Sequence, residues 1–351
     1  MVKLMMVDNV DICCGLSWGD EAKGKLVTEL LKKNKYDFVC RWSGGSNAGH
    51  TIYLNGIKYH THIIPSGVFY GVKSLIGPDC YINMEDFDNE MEYLKDNGFD
   101  TSLVKVSPRT HVITKEHKEE DLKKYKTQQG TTGKGIAPCA RDKFARIGRL
   151  FKDEVWDKYR NNLWKEDEDE DNSDKDYLYG NVLCEGAQGF WLDINYGNYP
   201  YITSSNTLPY SACSLGFPPQ KIRNIYGAAK IYDTRVGVDP DFPDSLLTDE
   251  TLNEIAIVGN EFGTTTGRAR KVNWLDMDRL VGAINISGCT HIVISKTDVL
   301  ENIGKFKLLN LEMEYGNLEE MKEEINSILK MNCKLLEKII YSNSAESVED
   351  L

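Results

Sequence analysis

The sequence predicts an α/β fold: a large, mostly parallel central sheet with flanking helices. Three observations carry that expectation. Short apolar runs recur along the 351 residues with helical segments between them. Several of these runs end in glycine-rich or polar clusters, as strands do where an open α/β sheet gathers its ligands. Hydrophobic residues make up 41% of the chain and aromatics 10%, enough to bury a sizeable core in one large domain or two closely joined ones.

Residues 10–16 (VDICCGL) read as the first buried strand. From Gly24 onward, Leu26, Val27, Leu30 and Leu31 fall on one side of an amphipathic helix. Further strands are expected over residues 37–42, 74–82, 104–114, 181–185, 224–232 and 291–295. Leu318, Met321, Ile325, Ile328 and Leu329 recur at helical spacing and predict a core-facing helix. Residues 165–176 are expected to form an acidic surface loop, because the like charges of EDEDEDNSDKD cannot pack. It lacks the glycine and terminal glutamate of a calcium-binding loop.

Charge and cysteine usage exclude several classes. A net charge of −12 argues against nucleic acid as a partner, since backbone binding needs clustered Lys and Arg. Nine scattered cysteines with no CxxC spacing predict reduced, buried thiols rather than a disulfide frame or zinc site. The start, MVKLMMVDNVD, is too short an apolar run for a signal peptide, and no run reaches membrane-spanning length. The expected location is cytoplasmic, with no membrane partner.

Six clusters carry the chemistry. The turn WGDEAKGK at residues 18–25 places Asp20, Glu21, Lys23 and Lys25 where a strand hands over to a helix, a natural phosphate site. Gly19, Gly24 and Lys25 fit the P-loop pattern, but Leu26 stands where Ser or Thr would hold magnesium, so the turn is of another kind. Asp20 reads as a base or metal ligand. In GGSNAGHT, Asn47, Gly49, His50 and Thr51 form a glycine-rich loop in which His50 suits acid or base work; His60, His62, His111, His117 and His291 read as structural. GTTGKG at residues 130–135 suits a phosphate or carboxylate, and EGAQG with TSSNT offers amides and hydroxyls for a polar ring. GTTTGRAR at residues 263–270 puts Arg268 and Arg270 where both can clamp carboxylates. Finally SKTD, residues 295–298, resembles the guanine-reading element of GTP-binding proteins, with Asp298 accepting from the base and Lys296 packing over it.

In this order, the six segments resemble the adenylosuccinate synthetase family, which joins L-aspartate to IMP at the expense of GTP. The resemblance implies a single α/β domain over residues 1–351 with a P-loop-NTPase-like fold, magnesium, a homodimer, and a 6-phosphoryl-IMP intermediate giving adenylosuccinate, GDP and phosphate. It implies Asp20 as the base at N1 of IMP, His50 as the acid near the β,γ-bridging oxygen, and Asp20 with the Gly49 carbonyl at magnesium. For GTP it implies Gly19, Glu21, Lys23, Gly24, Lys25, Lys296 and Asp298, with Ser342 and Ser344 standing at the usual guanine contact. For IMP it implies Asn47, Thr132, Gln188, Leu192, Thr203 and Val236, with Arg146 reaching the phosphate from the neighbouring subunit. For aspartate it implies Thr264, Thr265, Thr266, Arg268 and Arg270.

The chain departs from the family pattern at four places. Ser17 stands for glutamine, Ala22 for glycine, VGVDPDFPDS (with Asp239) for VGAGPFPTE beside the ribose, and SNSA for STGP at residues 342–345. The nearest alternative is the viral branch that joins aspartate to dGMP; its members commonly carry a hydroxyl residue at the Asp20 position, which this chain does not. A GTP-binding regulatory module or an inactive homologue is the alternative of another class. The arginine-hydroxyl loop and the intact Asp20, His50, Lys296, Asp298 and Arg268 argue against both.

Overall fold

The computed structural model describes residues 6–165, 177–262, 269–311, 313–344, 348 and 351. Eight strands form the central sheet: β1 (Val7–Gly15), β2 (Phe38–Arg41), β3 (Lys73–Ile76), β4 (Val104–Val106), β5 (Gly180–Glu185), β6 (Ile222–Lys230), β7 (His291–Ser295) and β8 (Lys338–Ser342). Their spatial order is β8, β7, β6, β1, β5, β2, β3, β4. Every neighbouring pair is parallel. The chain steps outward from β1 through β2, β3 and β4, returns to insert β5 beside β1, then steps the other way through β6, β7 and β8. The direction reverses at β1, and ligands of open α/β sheets gather at the carboxyl ends beside such a reversal.

Both faces of the sheet are covered, which explains the near-continuous apolar runs. Val10, Ile12, Cys14 and Leu16 enter one core, shared with Leu318, Met321, Ile325 and Leu329 of the helix Leu318–Asn332. Cys13 faces the opposite core, where it meets Leu26, Val27, Leu30 and Leu31 of α1 (Lys23–Lys33). Each of those four helix residues contributes about 1.5–3 kcal/mol by burial, so Leu30→Ala would loosen the helix that begins at the turn after β1.

Three predicted strands are broken. Residues 74–82 divide at Gly77–Pro78 into β3 and Cys80–Ile82, which pairs with Gly44–Gly45 and His111–Val112 in a small separate sheet. A Cβ on Gly77 would stand 2.7 Å from the Arg41 carbonyl, so the chain can turn there only as glycine. Residues 104–114 divide likewise into β4 and His111–Val112 across Pro108, which has no N–H to give a ladder. Beyond β6, Tyr232–Arg235 leaves the sheet to pair antiparallel with Lys271–Asp276.

Residues 166–176 of the acidic stretch lie outside the described residues, as does 263–268, the segment holding Thr264, Thr265, Thr266 and Arg268. All nine cysteines are free, and eight are buried. Among the described residues no helix is long and apolar enough to cross a membrane.

Candidate active site

The turn between β1 and α1 is a left-handed knuckle, with φ of 93° at Gly19, 63° at Asp20 and 65° at Ala22. Glu21 holds it from beneath. Its buried carboxylate accepts from the Ser17 N–H (3.1 Å), the Gly19 N–H (2.8 Å) and Lys23 Nζ (2.6 Å). The described contacts of Glu21 are thus with the turn itself. Gly24 permits the next approach, since a Cβ there would lie 2.7 Å from the Thr51 carbonyl. The His50 strand (His50–Leu54) therefore abuts the start of α1.

Asp20 points upward from this knuckle, about one third exposed, and its Oδ2 accepts from Arg270 Nε at 2.9 Å. Arg270 is held by Glu261 (Nη1 to Oε2, 2.6 Å), which also accepts from Lys230 (2.8 Å) and the Tyr232 hydroxyl (2.7 Å). Burial alone would raise the Glu261 carboxyl, but Lys230 and Arg270 outweigh it and hold it at about 2.

His50 is buried, and its Nδ1 bonds Glu185, which stands at the carboxyl end of β5. Glu185 also accepts from the Ser66 N–H (2.7 Å) and hydroxyl (2.9 Å), with Arg41 Nε 3.8 Å away. Burial pushes Glu185 up, but Arg41, His50 and the Ser66 N–H hold it at about 2. Burial, then Arg41, lowers His50 to about 4 despite the carboxylate beside it. The resting pair is thus carboxylate and neutral imidazole. With Nδ1–H given to Glu185, Nε2 is the nitrogen left to serve as acceptor.

These groups surround one cavity of about 390 Å³. Fifteen of the residues singled out in the sequence line it: Gly19, Asp20, Lys23, Gly24, Lys25, Asn47, Gly49, His50, Thr132, Gln188, Leu192, Thr203, Val236, Arg270 and Lys296. Both polar atoms of the Gln188 amide are buried in its wall with no hydrogen-bond partner among the described residues. Such a group is costly unless a ligand completes it. The Thr131 hydroxyl and Gly135 N–H both bond Asp121 at 2.7 Å, fixing the 130–135 turn at one side.

The family model for adenylosuccinate synthetase matches residues 12–176 and 171–342 of this sequence. The chain belongs to the adenylosuccinate synthetase family. It is 38% identical over 339 residues to the adenylosuccinate synthetase of Helicobacter pylori strain 26695, covering 85% of this chain and 81% of that protein. With the Lysinibacillus sphaericus enzyme it shares 37% over 342 residues, covering 85% and 79%. Its fold matches a fully ligated adenylosuccinate synthetase of Plasmodium falciparum at a TM-score of 0.78 and 27% identity, over 96% of this chain and 98% of that one. It also matches the cyanophage S-2L succinoaminodeoxyadenylate synthetase bound to dGMP and dATP, at 0.70 and 18% identity, over 97% and 94%; at that identity the likeness shows the fold. As a member of the adenylosuccinate synthetase family, the chain is a GTP-using carbon–nitrogen ligase of purine nucleotide biosynthesis.

The remaining predicted residues stand to this cavity in different ways. Lys296, at φ 68°, begins the helix Thr297–Ile303 and donates to the Gly259 carbonyl (2.6 Å); Asp298 lies half-buried in that helix's first turn. Ser342 and Ser344 grip Lys25, whose Nζ donates to the Ser342 hydroxyl and the Ser344 carbonyl, both at 2.7 Å. Burial lowers the Lys25 ammonium to about 8, against the opposing pull of Asp298. Arg146 stands apart, exposed at φ 64° where the helix Ile136–Ala145 ends. Sequence reasoning missed Glu185 as the partner of His50. Its only local signal was a carboxylate at the end of an apolar strand. It also missed Arg235, which lines the cavity, and the hold of Asp239 on it.

Proposed function

We propose that this cavity phosphorylates O6 of IMP with GTP and then exchanges that phosphate for the amine of L-aspartate, giving adenylosuccinate, GDP and phosphate. The observation that carries the reading is the Gln188 amide, buried and unpartnered, in a cavity whose wall also holds Asp20 and His50. An amide with one donor face and one acceptor face suits the N1–C6–O6 edge of a hypoxanthine. Asp20 removes the N1 proton, and the charge passes to O6, which attacks the γ-phosphorus. Lys23 and the N–H groups of the knuckle receive the triphosphate. Its negative charge raises the proton affinity of His50 Nε2, so an imidazole neutral at rest acquires the proton it gives to the departing β,γ-bridging oxygen. The amine of aspartate then attacks C6, and phosphate leaves with the C6–O6 bond. Thr264, Thr265, Thr266 and Arg268 are proposed to hold aspartate; Arg270, now bonded to Asp20, changes partners when ligands arrive. Asp298 accepts from the guanine N1–H and amino group while Lys296 covers the base. Arg146 completes a neighbouring subunit's site in a homodimer.

Asp20 and the Gly49 carbonyl fit magnesium. The described contacts leave Asp20 Oδ1 without a protein partner on the cavity side, and one carboxylate plus one carbonyl suits an ion that keeps water and phosphate as its other ligands. Bound there, magnesium neutralises phosphate charge. The test is to incubate the protein with magnesium and aspartate, offering GTP or ATP and IMP or dGMP in all pairings, and to identify the succinyl-nucleotide by mass. IMP with GTP should react. Conversion of dGMP without IMP overturns the acceptor, and no reaction in any pairing returns the chain to a binding role.

A further inference from the structure

One wall of the cavity is held by a carboxylate that does not face it. Asp239 has no exposed side-chain surface. Its Oδ1 accepts from Asn198 Nδ2 (2.9 Å) and from the Asp241 N–H (3.0 Å), and its Oδ2 lies 3.3 Å from Arg235 Nε. Arg235 in turn donates through Nη2 to the Tyr201 carbonyl at 2.8 Å. Arg235, Val236, Tyr201, Ile202 and Thr203 all line the cavity, whereas Asp239 does not. The carboxylate thus joins two separate segments, residues 198–203 and 235–241, and fixes a cationic side chain between them.

The position of that wall says what it serves. On the functional reading above, the purine edge lies at Gln188 and Asp20. A nucleoside monophosphate seated there must extend its sugar and phosphate away from the γ-phosphate turn. Thr131, Thr132, Thr203, Ser204 and Arg235 line the remaining wall, a composition suited to hydroxyls and phosphate oxygens. Residue 237 bends back against the 130–132 turn, at φ 94° with its Cβ position 3.6 Å from the Gly130 carbonyl, so the two sides of this recess meet. We propose that Asp239 is a positioning residue for the acceptor nucleotide: it builds the sugar-phosphate side of the recess before the nucleotide arrives, by fixing Arg235 and locking the two segments together. Order already present in the free protein need not be imposed by the ligand, and that shows in affinity rather than in the chemical step.

The inference rests on the IMP reading, and the experiment separates the two. Asp239→Asn keeps the shape but leaves a single carbonyl oxygen, which cannot serve Asn198, the Asp241 N–H and Arg235 together. The KM for IMP should rise about tenfold or more, while kcat and the KM values for GTP and aspartate stay within about twofold. Calorimetric titration of IMP into the magnesium-loaded protein should show the same loss of affinity. Asn198→Ala, which keeps the charge pair but removes the bonds of Asn198 to Asp239 and Asp241, should move the KM for IMP the same way by less, and it carries the test if Asp239→Asn does not fold. An unchanged KM for IMP in a folded variant overturns the positioning role, as does an equal rise in all three KM values. If the unaltered protein neither binds nor converts IMP, the functional reading fails instead.

Discussion

Glu185 is the residue on which the chemistry of His50 turns, although it lines no part of the cavity. Glu185→Gln should lower kcat by about tenfold to a hundredfold and displace the acidic limb of the pH–rate profile, because the imidazole loses the partner that fixes its tautomer. A kcat loss with an unmoved profile would mean that Glu185 only fills space. The pair also predicts acid lability. His50 is lowered to about 4 from 6.5 and Glu185 to about 2 from 4.5, so the folded state binds fewer protons than the unfolded one. The His50 contribution is complete above about pH 6.5 and is lost as pH falls toward 4; that of Glu185 is lost below about 4.5. Denaturant titrations from pH 7 to 4 should show stability falling by about 3–4 kcal/mol, and His50→Asn should flatten the slope between 6.5 and 4. None of this pairing was legible in the sequence, since 135 residues separate its members. His50 itself was, because a histidine in a glycine-rich loop at a strand end has few structural uses.

At the scale of the element, the knuckle between β1 and α1 carries a cost that its sequence announces. Ala22 adopts φ 65° and ψ 36° at the start of α1, a conformation that crowds its Cβ against the carbonyl. Ala22→Gly should raise unfolding free energy by up to about 1 kcal/mol, read as a higher denaturant midpoint with an unchanged m-value. Lower stability would show that the alanine methyl packs usefully. The elements themselves were legible where apolar runs ended in glycine, as in β1 and β5, or in a polar cluster, as in β7. Two of the three runs that broke did so at Gly77–Pro78 and Pro108, both visible as residues; which piece would leave for a second sheet depends on partners far along the chain. The edge strand β8 went unpredicted, because KIIYS carries only a brief apolar centre after a helix.

The whole molecule raises the question of how many chains make one site. Arg146 stands outside the cavity on an exposed helix end flanked by Phe144, 75% exposed, and Ile147, 71% exposed. That apolar flank suits burial against a second copy. In the proposed homodimer, Arg146→Ala and Asp20→Ala should each be nearly inactive, yet a mixture of the two should regain up to about a quarter of normal activity as hybrid dimers form with one intact site. Sedimentation as a monomer, or no recovery on mixing, would place Arg146 outside the reaction. The site's composition was legible because its segments follow one another at strand ends. Its cross-links were not: Asp20 with Arg270, Lys25 with Ser342 and Asp239 with Arg235 belong to the folded chain alone.

The place of β1 at the middle of the sheet has a consequence for synthesis. Its two neighbours, β5 and β6, lie at residues 180–185 and 222–230, so β1, once made, has no permanent partner on either edge until about 165 further residues have followed it out of the ribosome. At about 5–20 residues per second that wait is on the order of ten to forty seconds. Over that interval VDNVDICCG offers two open edges and a pair of thiols to whatever surrounds the nascent chain, and the knuckle between β1 and α1 cannot set until the wait is over.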